Sequence, residues 1–396
     1  MLQSGTNVIA YVPKGFWGGL GLPPPPPGVS VVNVEGTLVT NTVIPTGSDA
    51  INSCASNSTT GQTVCTANNN KVYFTNPGFT PATLAAFNLT PLTSAGSGTI
   101  GFSGGSCTNC GVAMDGVHNK AVIGLSLGGF PGFQYLDLGA TPSFETAFPS
   151  PAGIISEDVL IDPTRNLLLS PAENGNFEIV NVTTTTTPAF FEVNIGATPG
   201  SNEPDSAGED CSTGIALAPR EFTGPSVVLI TDLTQATFTP GTPAGTWTAP
   251  SQNQTLSESF LAAGGPSGIA VAQATPPNPA PHIGVVAGEF GATAITAIAL
   301  PATSGSGTPA ISDWVTCTIS LFAGPDPHAV TAYQSPNGAH DAIAVLAGAA
   351  PGGAPTVAVV DLTQMLNTTT VPRTTTGHGC ASGTLPATVL SFISVP

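Results

Sequence analysis

The chain has 396 residues, only 7% of them charged, with 23 acids against six bases and a formal charge of −17. Such a polyanion is repelled by phosphate backbones and anionic lipid heads, which argues against nucleic acid as a partner, and the bases (Lys14, Lys71, Lys120, Arg165, Arg220, Arg373) stand singly. No run approaches the ~18 apolar residues of a membrane-spanning helix, while 47 Gly and 39 Pro punctuate short Val, Ile, Leu and Phe runs, the text of an all-β chain.

From the N-terminus, "MLQSGTNVIAYVPKGF" lacks a basic segment followed by an apolar one, so no signal peptide is visible. Seven cysteines and a surface left to Thr, Ser and Asn still lead us to expect a secreted protein, extracellular or periplasmic, its signal already removed. "NVIAYVP" (7–13) is the first predicted strand, followed by "GLPPPPPG" (21–28), a stiff polyproline loop, and by "SVVNV", which ends at Val34. That ending recurs. An apolar run, then usually Asn or Asp, then Leu or Val closes at Leu89, Leu138, Val182, Leu233, Leu300 and Leu362, at intervals of 44 to 67 residues. Asx at a strand end can bond its own backbone and start the next turn, which accounts for its place.

Upstream of each ending lies a second strand, such as "KVYFTN" (71–76), "KAVIGLSL" (120–127), "NLLLSP" (166–171), "HIGVVAGEF" (282–290) and "DAIAVLAG" (341–348). Before it comes a small-residue strand: "GVAMD" (111–115), "DVLID" (158–162), "GIALAP" (214–219), "GIAVAQ" (268–273) and "HAVTAY" (328–333). A variable strand follows each ending, as in "LVTNTVIP" (38–45) or "TIGFSGG" (99–105). Four short strands per repeat, here named A to D from the inside out, make a β-propeller blade. We predict one all-β propeller over residues 1–396 with seven four-stranded blades, at 1–48, 49–104, 105–153, 154–200, 201–264, 265–323 and 324–396; six blades are the alternative. The first repeat opens directly on a second strand, so the C-terminal "ATVLSFISVP" (387–396) is expected to complete blade 1 and close the ring.

"GPDPHAVTAYQSPNG", "GGPSGIAVAQ" and "EDVLIDPTRNLLLSPAENGNFEIVNV" resemble blades of the YVTN/NHL/lactonase-like β-propeller superfamily. The resemblance implies the propeller fold. Its members include lactonases, lyases, redox-cofactor propellers and surface or binding proteins, so the fold leaves function open.

Residues sort by end of the blade. On the D–A side fall Asp49, Glu157, Asp158, Glu209, Asp210, Asp326 and His328. Converging carboxylates suit Ca²⁺, with Asp158, Glu157, Glu209, Asp210 and Asp326 as its ligands; Glu157, Asp158 and His328 are the candidates for acid–base catalysis. Loop-end acids are also simply solvated. Gly111, Gly214 and Gly268 are expected at the place of Asp158, with His328 alone offering a functional side chain there. The A–B side collects His118, His282, His340, Asp115, Asp162 and Asp341; tight turns explain these better than a metal. HExxH, GxSxG and P-loop signatures are missing, and "CTNCG" (107–111) has no following His or second CxxC.

Six cysteines (Cys54, Cys107, Cys110, Cys211, Cys317, Cys380) are placed in or near D–A connections and Cys65 on a strand A. Cys54–Cys65 is the first disulfide expected, being local, and Cys317–Cys380 would join the loops flanking the last blade. Cys107, Cys110 and Cys211 then leave one thiol over or pairing between chains. The function expected is a non-enzymatic binding module or a subunit of an extracellular assembly, with itself, another protein or a glycan as partner. The alternative is a lactonase- or lyase-like enzyme at the channel mouth.

Overall fold

A computed structural model describes residues 1–4, 6–13, 27–37, 42–67, 71–75, 85–88, 111–125, 132–140, 142–145, 147–150, 158–172, 175–183, 188–194, 204, 206–220, 227–249, 254–256, 266–274, 278–288, 294–302, 316–321, 329–337, 342–349, 355–366 and 389–395. The chain is all-β, and its sheets are the seven blades of a β-propeller. It divides into two compact units, Met1–Asn194 with Thr239–Thr246 and Pro396, and Ile195–Phe238 with Trp247–Val395.

In the first unit, blade 1 is β1 (Leu2–Ser4), β2 (Asn7–Pro13), β3 (Gly28–Glu35) and β4 (Thr42–Pro45). Blade 2 is β5 (Ile51–Asn57), β6 (Gln62–Ala67), β7 (Lys71–Phe74) and β8 (Ala85–Asn88). Blade 3 is β9 (Val112–Asp115), β10 (Lys120–Leu125) and β11 (Gly132–Asp137), with β12 (Ser143–Phe144) and β13 (Phe148–Pro149) both on β11. Blade 4 is β14 (Leu160–Asp162), β15 (Leu167–Pro171), β16 (Asn176–Asn181) and β17 (Ala189–Asn194). In the second unit, blade 5 begins with β18 (Gly208–Asp210), β19 (Ile215–Arg220) and β20 (Val227–Asp232). The chain then runs through β21 (Thr237–Thr239) and β22 (Gly245–Thr248); Gly245 and Thr246 of β22 extend the blade 4 sheet, in parallel with Phe191 and Glu192. β23 (Gln254–Leu256) completes blade 5. Blade 6 is β24 (Pro266–Val271), β25 (Ile283–Gly288), β26 (Ala294–Ala299) and β27 (Thr316–Ser320). Blade 7 is β28 (Val330–Tyr333), β29 (Ile343–Ala349), β30 (Pro355–Asp361) and β31 (Val389–Ser394).

Both faces of a middle strand are buried here, which is why the second and third strands read as unbroken apolar runs rather than alternating ones. Within the first unit, Ile9 and Val31 of blade 1 pack against Ile51 and Tyr73 of blade 2, and Val122 and Tyr135 of blade 3 against Leu168 and Val180 of blade 4. Within the second, Leu217 and Ile230 of blade 5 meet Ile269 and Val286 of blade 6, and Val285 and Ala297 of blade 6 meet Ala344 and Ala358 of blade 7. Within each unit the hydrophobic core is therefore laid in slices between successive blades. Each fully buried aliphatic side chain contributes ~1.5–3 kcal/mol.

The repeated Asx endings act as expected. Oδ1 of Asp137, Asn181, Asp232 and Asp361 accepts the backbone N–H of Gly139, Thr183, Thr234 and Gln364, at 2.8 to 3.0 Å. The following Leu or Val ties the third strand to the start of the second: Leu138, Val182, Leu233, Leu300 and Leu362 donate to the carbonyls of Asn119, Asn166, Gly214, His282 and Ala342.

Two placements differ from the sequence expectation. The C-terminal strand β31 pairs with β30 and is the fourth strand of blade 7, because Val357 and Val359 offer it an apolar partner strand. Blade 1 already has its own inner strand, the very short β1, which pairs Leu2 with Ile9. In blade 5, "GIALAP" lies on the second strand, not the first: the inner strand is Gly208–Asp210, three residues that carry no apolar run to mark them.

Candidate functional site

The acids of the A–B turns form the most regular polar feature. In blades 2 to 5 an Asx residue ends the inner strand and a residue with positive φ stands four positions later: Asn57 and Gly61, Asp115 and Asn119, Asp162 and Asn166, Asp210 and Gly214. The φ values are 76°, 53°, 55° and 77° in that order, a region open to Gly and tolerated by Asn. The Asx Oδ1 accepts the turn's backbone N–H groups, from Thr59 (2.9 Å), Val117 and His118 (3.1 and 3.0 Å), Thr164 and Arg165 (2.9 and 3.1 Å), and Ser212 (3.0 Å). The second carboxylate oxygen meets a base. Asp115 Oδ2 lies 2.7 Å from His118 Nδ1, Asp162 Oδ2 takes a bond of 2.8 Å from Arg165, and Asp210 Oδ2 lies 2.6 Å from His282 Nδ1.

Two of these bonds cross from one blade to the next within a unit. Asn57 Nδ2 donates to Asn119 Oδ1 at 2.9 Å, and Asp210 meets His282, whose carbonyl accepts from Leu300 just as that of Asn119 accepts from Leu138. The turn reading of Asp115, Asp162, His118 and His282 therefore holds. His340 and Asp341 lie outside the described residues.

The predicted site acids are scattered among structural tasks. Asp49 is buried beside β5, bonded to Lys71 at 2.9 Å and to the Tyr73 hydroxyl. Burial, then the Asp49 carboxylate, pushes the Tyr73 phenol well above its usual range. Asp158 is half-buried ahead of β14, and its Oδ1 accepts the N–H of Val159 at 2.9 Å. Glu209 and Asp210 are not on a D–A loop but on the buried inner strand of blade 5, where Gln273 donates to the Glu209 carbonyl. With blade 5 realigned on its turn, Ser206 rather than Gly214 is the counterpart of Asp158; its hydroxyl donates to Ser267 O at 2.6 Å. Glu157, Asp326 and His328 lie outside the described residues.

Cys54 and Cys65 form the expected disulfide, although Cys54 sits on β5 and Cys65 on β6, directly opposed with Cα atoms 4.1 Å apart. Cys317 on β27 is also disulfide-bonded; its expected partner Cys380, with Cys107 and Cys110, lies outside the described residues. Cys211 is a half-buried thiol in the A–B turn of blade 5, not near a D–A connection, and its N–H donates to Gln273 at 3.3 Å.

A second acidic feature escaped the sequence reading. Ser170, Glu178 and Glu192 are directly opposed on β15, β16 and β17, so their side chains form one row on the face of blade 4 turned toward blade 3. Ser150, just after β13, donates its hydroxyl to both Glu178 carboxylate oxygens, each at 3.1 Å. Glu178 is fully buried, and the neighbouring wall is aromatic: Phe148 stacks with Phe133 (5.7 Å), Tyr135 (6.0 Å) and Phe190 (6.1 Å). Burial, then the facing Glu192, pushes the Glu178 carboxyl from 4.5 up to about 8, against a smaller pull downward from Ser150. Burial raises Glu192 as well. Period two in "NFEIVNV" places Glu178 with the core residue Val180, the signal that was there to find.

No family model and no curated protein matches the sequence. Among the described residues no helix is long and apolar enough to cross a membrane.

Proposed function

We propose that the protein is an exported, non-enzymatic β-propeller of the YVTN/NHL/lactonase-like kind that works as a binding module or subunit of an extracellular assembly. The observation that carries this reading is the edge of blade 7. Large exposed apolar side chains among the described residues are Val117, Leu390 and Phe392, and the last two, 41% and 48% exposed, stand two residues apart on β31. On β31 only the side toward β30 carries a strand among the described residues, so apolar side chains and an edge backbone stand together, as at a docking strand. The turn acids support the same reading, since each is engaged in holding its own turn. The Cys54–Cys65 disulfide supports export, because such bonds persist in oxidising compartments.

Light scattering on wild type and on the Leu390→Lys/Phe392→Lys double variant tests the reading. The expected result is a self-associated species in the wild type that the double variant loses at unchanged thermal stability. A wild type that stays monomeric and hydrolyses lactones, with turnover lost in Asp158→Ala, would overturn it in favour of the lactonase-like enzyme.

A further inference from the structure

We propose that Glu178, Glu192, Ser150 and Ser170 form a binding site for one Ca²⁺ ion on the blade 3 side of blade 4. Two carboxylates face each other across β16 and β17. The ion pairs of the described residues join Asp49, Asp115, Glu145, Asp162 and Asp210 to a base, and neither Glu178 nor Glu192 is among them. Ser150 is the hydrogen-bond donor to Glu178, and Lys120, which lies 5.8 Å over the Tyr135 ring of the aromatic wall, is paired with Glu145 rather than with Glu178 or Glu192.

A separate observation points to a ligand. The Ser170 hydroxyl is fully buried next to Glu178 in the row and has no hydrogen-bond partner, and Glu192 Oε1 is likewise buried and unpartnered. Orphaned buried oxygens cost ~1–3 kcal/mol each, and a cation at the row would engage both. The donor set is oxygen alone, which selects a hard cation over Zn²⁺. Two long carboxylate side chains from different strands suit the flexible, six- to eight-oxygen shell of Ca²⁺ better than the rigid octahedron of Mg²⁺. At the sheet edge the same row continues to the exposed Thr246, which pairs with Glu192.

The test is calorimetric titration with CaCl₂, alongside thermal unfolding, on protein stripped with EDTA and desalted into mildly alkaline buffer. Wild type, Glu178→Gln and Glu192→Gln are compared. The expected result is one Ca²⁺ per chain in the wild type and an unfolding midpoint raised by several degrees. Both variants should lose affinity at least ~10-fold. Glu178→Gln removes the facing charge, so it should unfold in EDTA no earlier than the wild type, which separates lost binding from lost folding. Absence of Ca²⁺ binding by the wild type would overturn the proposal, since the pair would then hold only a shared proton. Undiminished binding in both variants would overturn it too, by placing the ion elsewhere.

Discussion

The A–B turns and the face of blade 4 bury carboxylates in opposite ways. Asp162 is 0% exposed, yet it accepts two backbone N–H groups and an arginine. Glu178 is equally buried, but it faces another carboxylate and accepts from one serine hydroxyl. The contrast teaches that burial alone does not decide what an acid contributes. In the turn the local backbone is shaped around the charge and the acid specifies the fold; on the strand face the fold is specified by neighbouring apolar residues and tolerates the acid.

The largest effect should come from removing a turn acid. Asp162→Ala leaves the N–H groups of Thr164 and Arg165 without their acceptor and breaks the bond from the guanidinium to Oδ2. We expect a loss of about 3 kcal/mol, read as a lower urea midpoint. Asp162→Asn keeps the Oδ1 acceptor and gives up only the charge, so it should lose about 1 kcal/mol. A similar loss in both would mean that the ion pair, not the turn, carries the contribution.

The same kind of change on the strand face should have the opposite sign. Glu178→Gln is expected to stabilise the metal-free protein by on the order of 2 kcal/mol at neutral pH, because Gln is neutral without the proton that burial makes Glu178 take up on folding. The pH dependence follows from the raised carboxyl. Below the ordinary value of 4.5 both folded and unfolded chains hold the proton, and this group adds no slope. From there up to about 8 the unfolded chain has released the proton and the folded chain still binds it. Stability therefore falls as pH rises through that window and levels off above it. Urea midpoints measured across the window in EDTA should show this decline in the wild type and a flatter line in Glu178→Gln. A wild-type midpoint that climbs with pH there would show that the pair is stabilised as an anion.

This split also marks what could be read from the sequence. The blades follow from a repeated ending, usually Asx-Leu, whose physical task recurs: it caps a turn in blades 3, 4, 5 and 7 and ties two strands in blades 3 to 7, and so repeats in the text. The turn acids share that property. The inner strand of blade 5 did not announce itself, because "GED" has three residues and no apolar period, and the longer "GIALAP" beside it imitated an inner strand. The short β1 was hidden for the same reason, which sent the C-terminal strand to the wrong blade. The Glu178–Glu192 row depends on cross-strand register over a connection of seven residues, from Val182 to Pro188, and pairing at that distance leaves no local signature.

The smallest effects test the far end of the turn, where backbone and side-chain roles come apart. Asn166 and Asn119 both hold positive φ and both lend their carbonyl to the third strand. Asn119 additionally accepts from Asn57 and donates to Leu138 O at 3.0 Å. If the turn needs only the backbone shape, Asn166→Gly should be within ~0.5 kcal/mol of wild type, while Asn166→Ala loses about 1 kcal/mol to left-handed strain. Asn119→Gly should lose about 1 kcal/mol despite the relaxed backbone, because two hydrogen bonds go with the side chain. Urea midpoints for the three variants decide the matter. Equal costs for Gly at 119 and 166 would mean that the bond from blade 2 to blade 3 is incidental; unequal costs show that blades 2 and 3 are joined by that side chain as well as by their apolar faces.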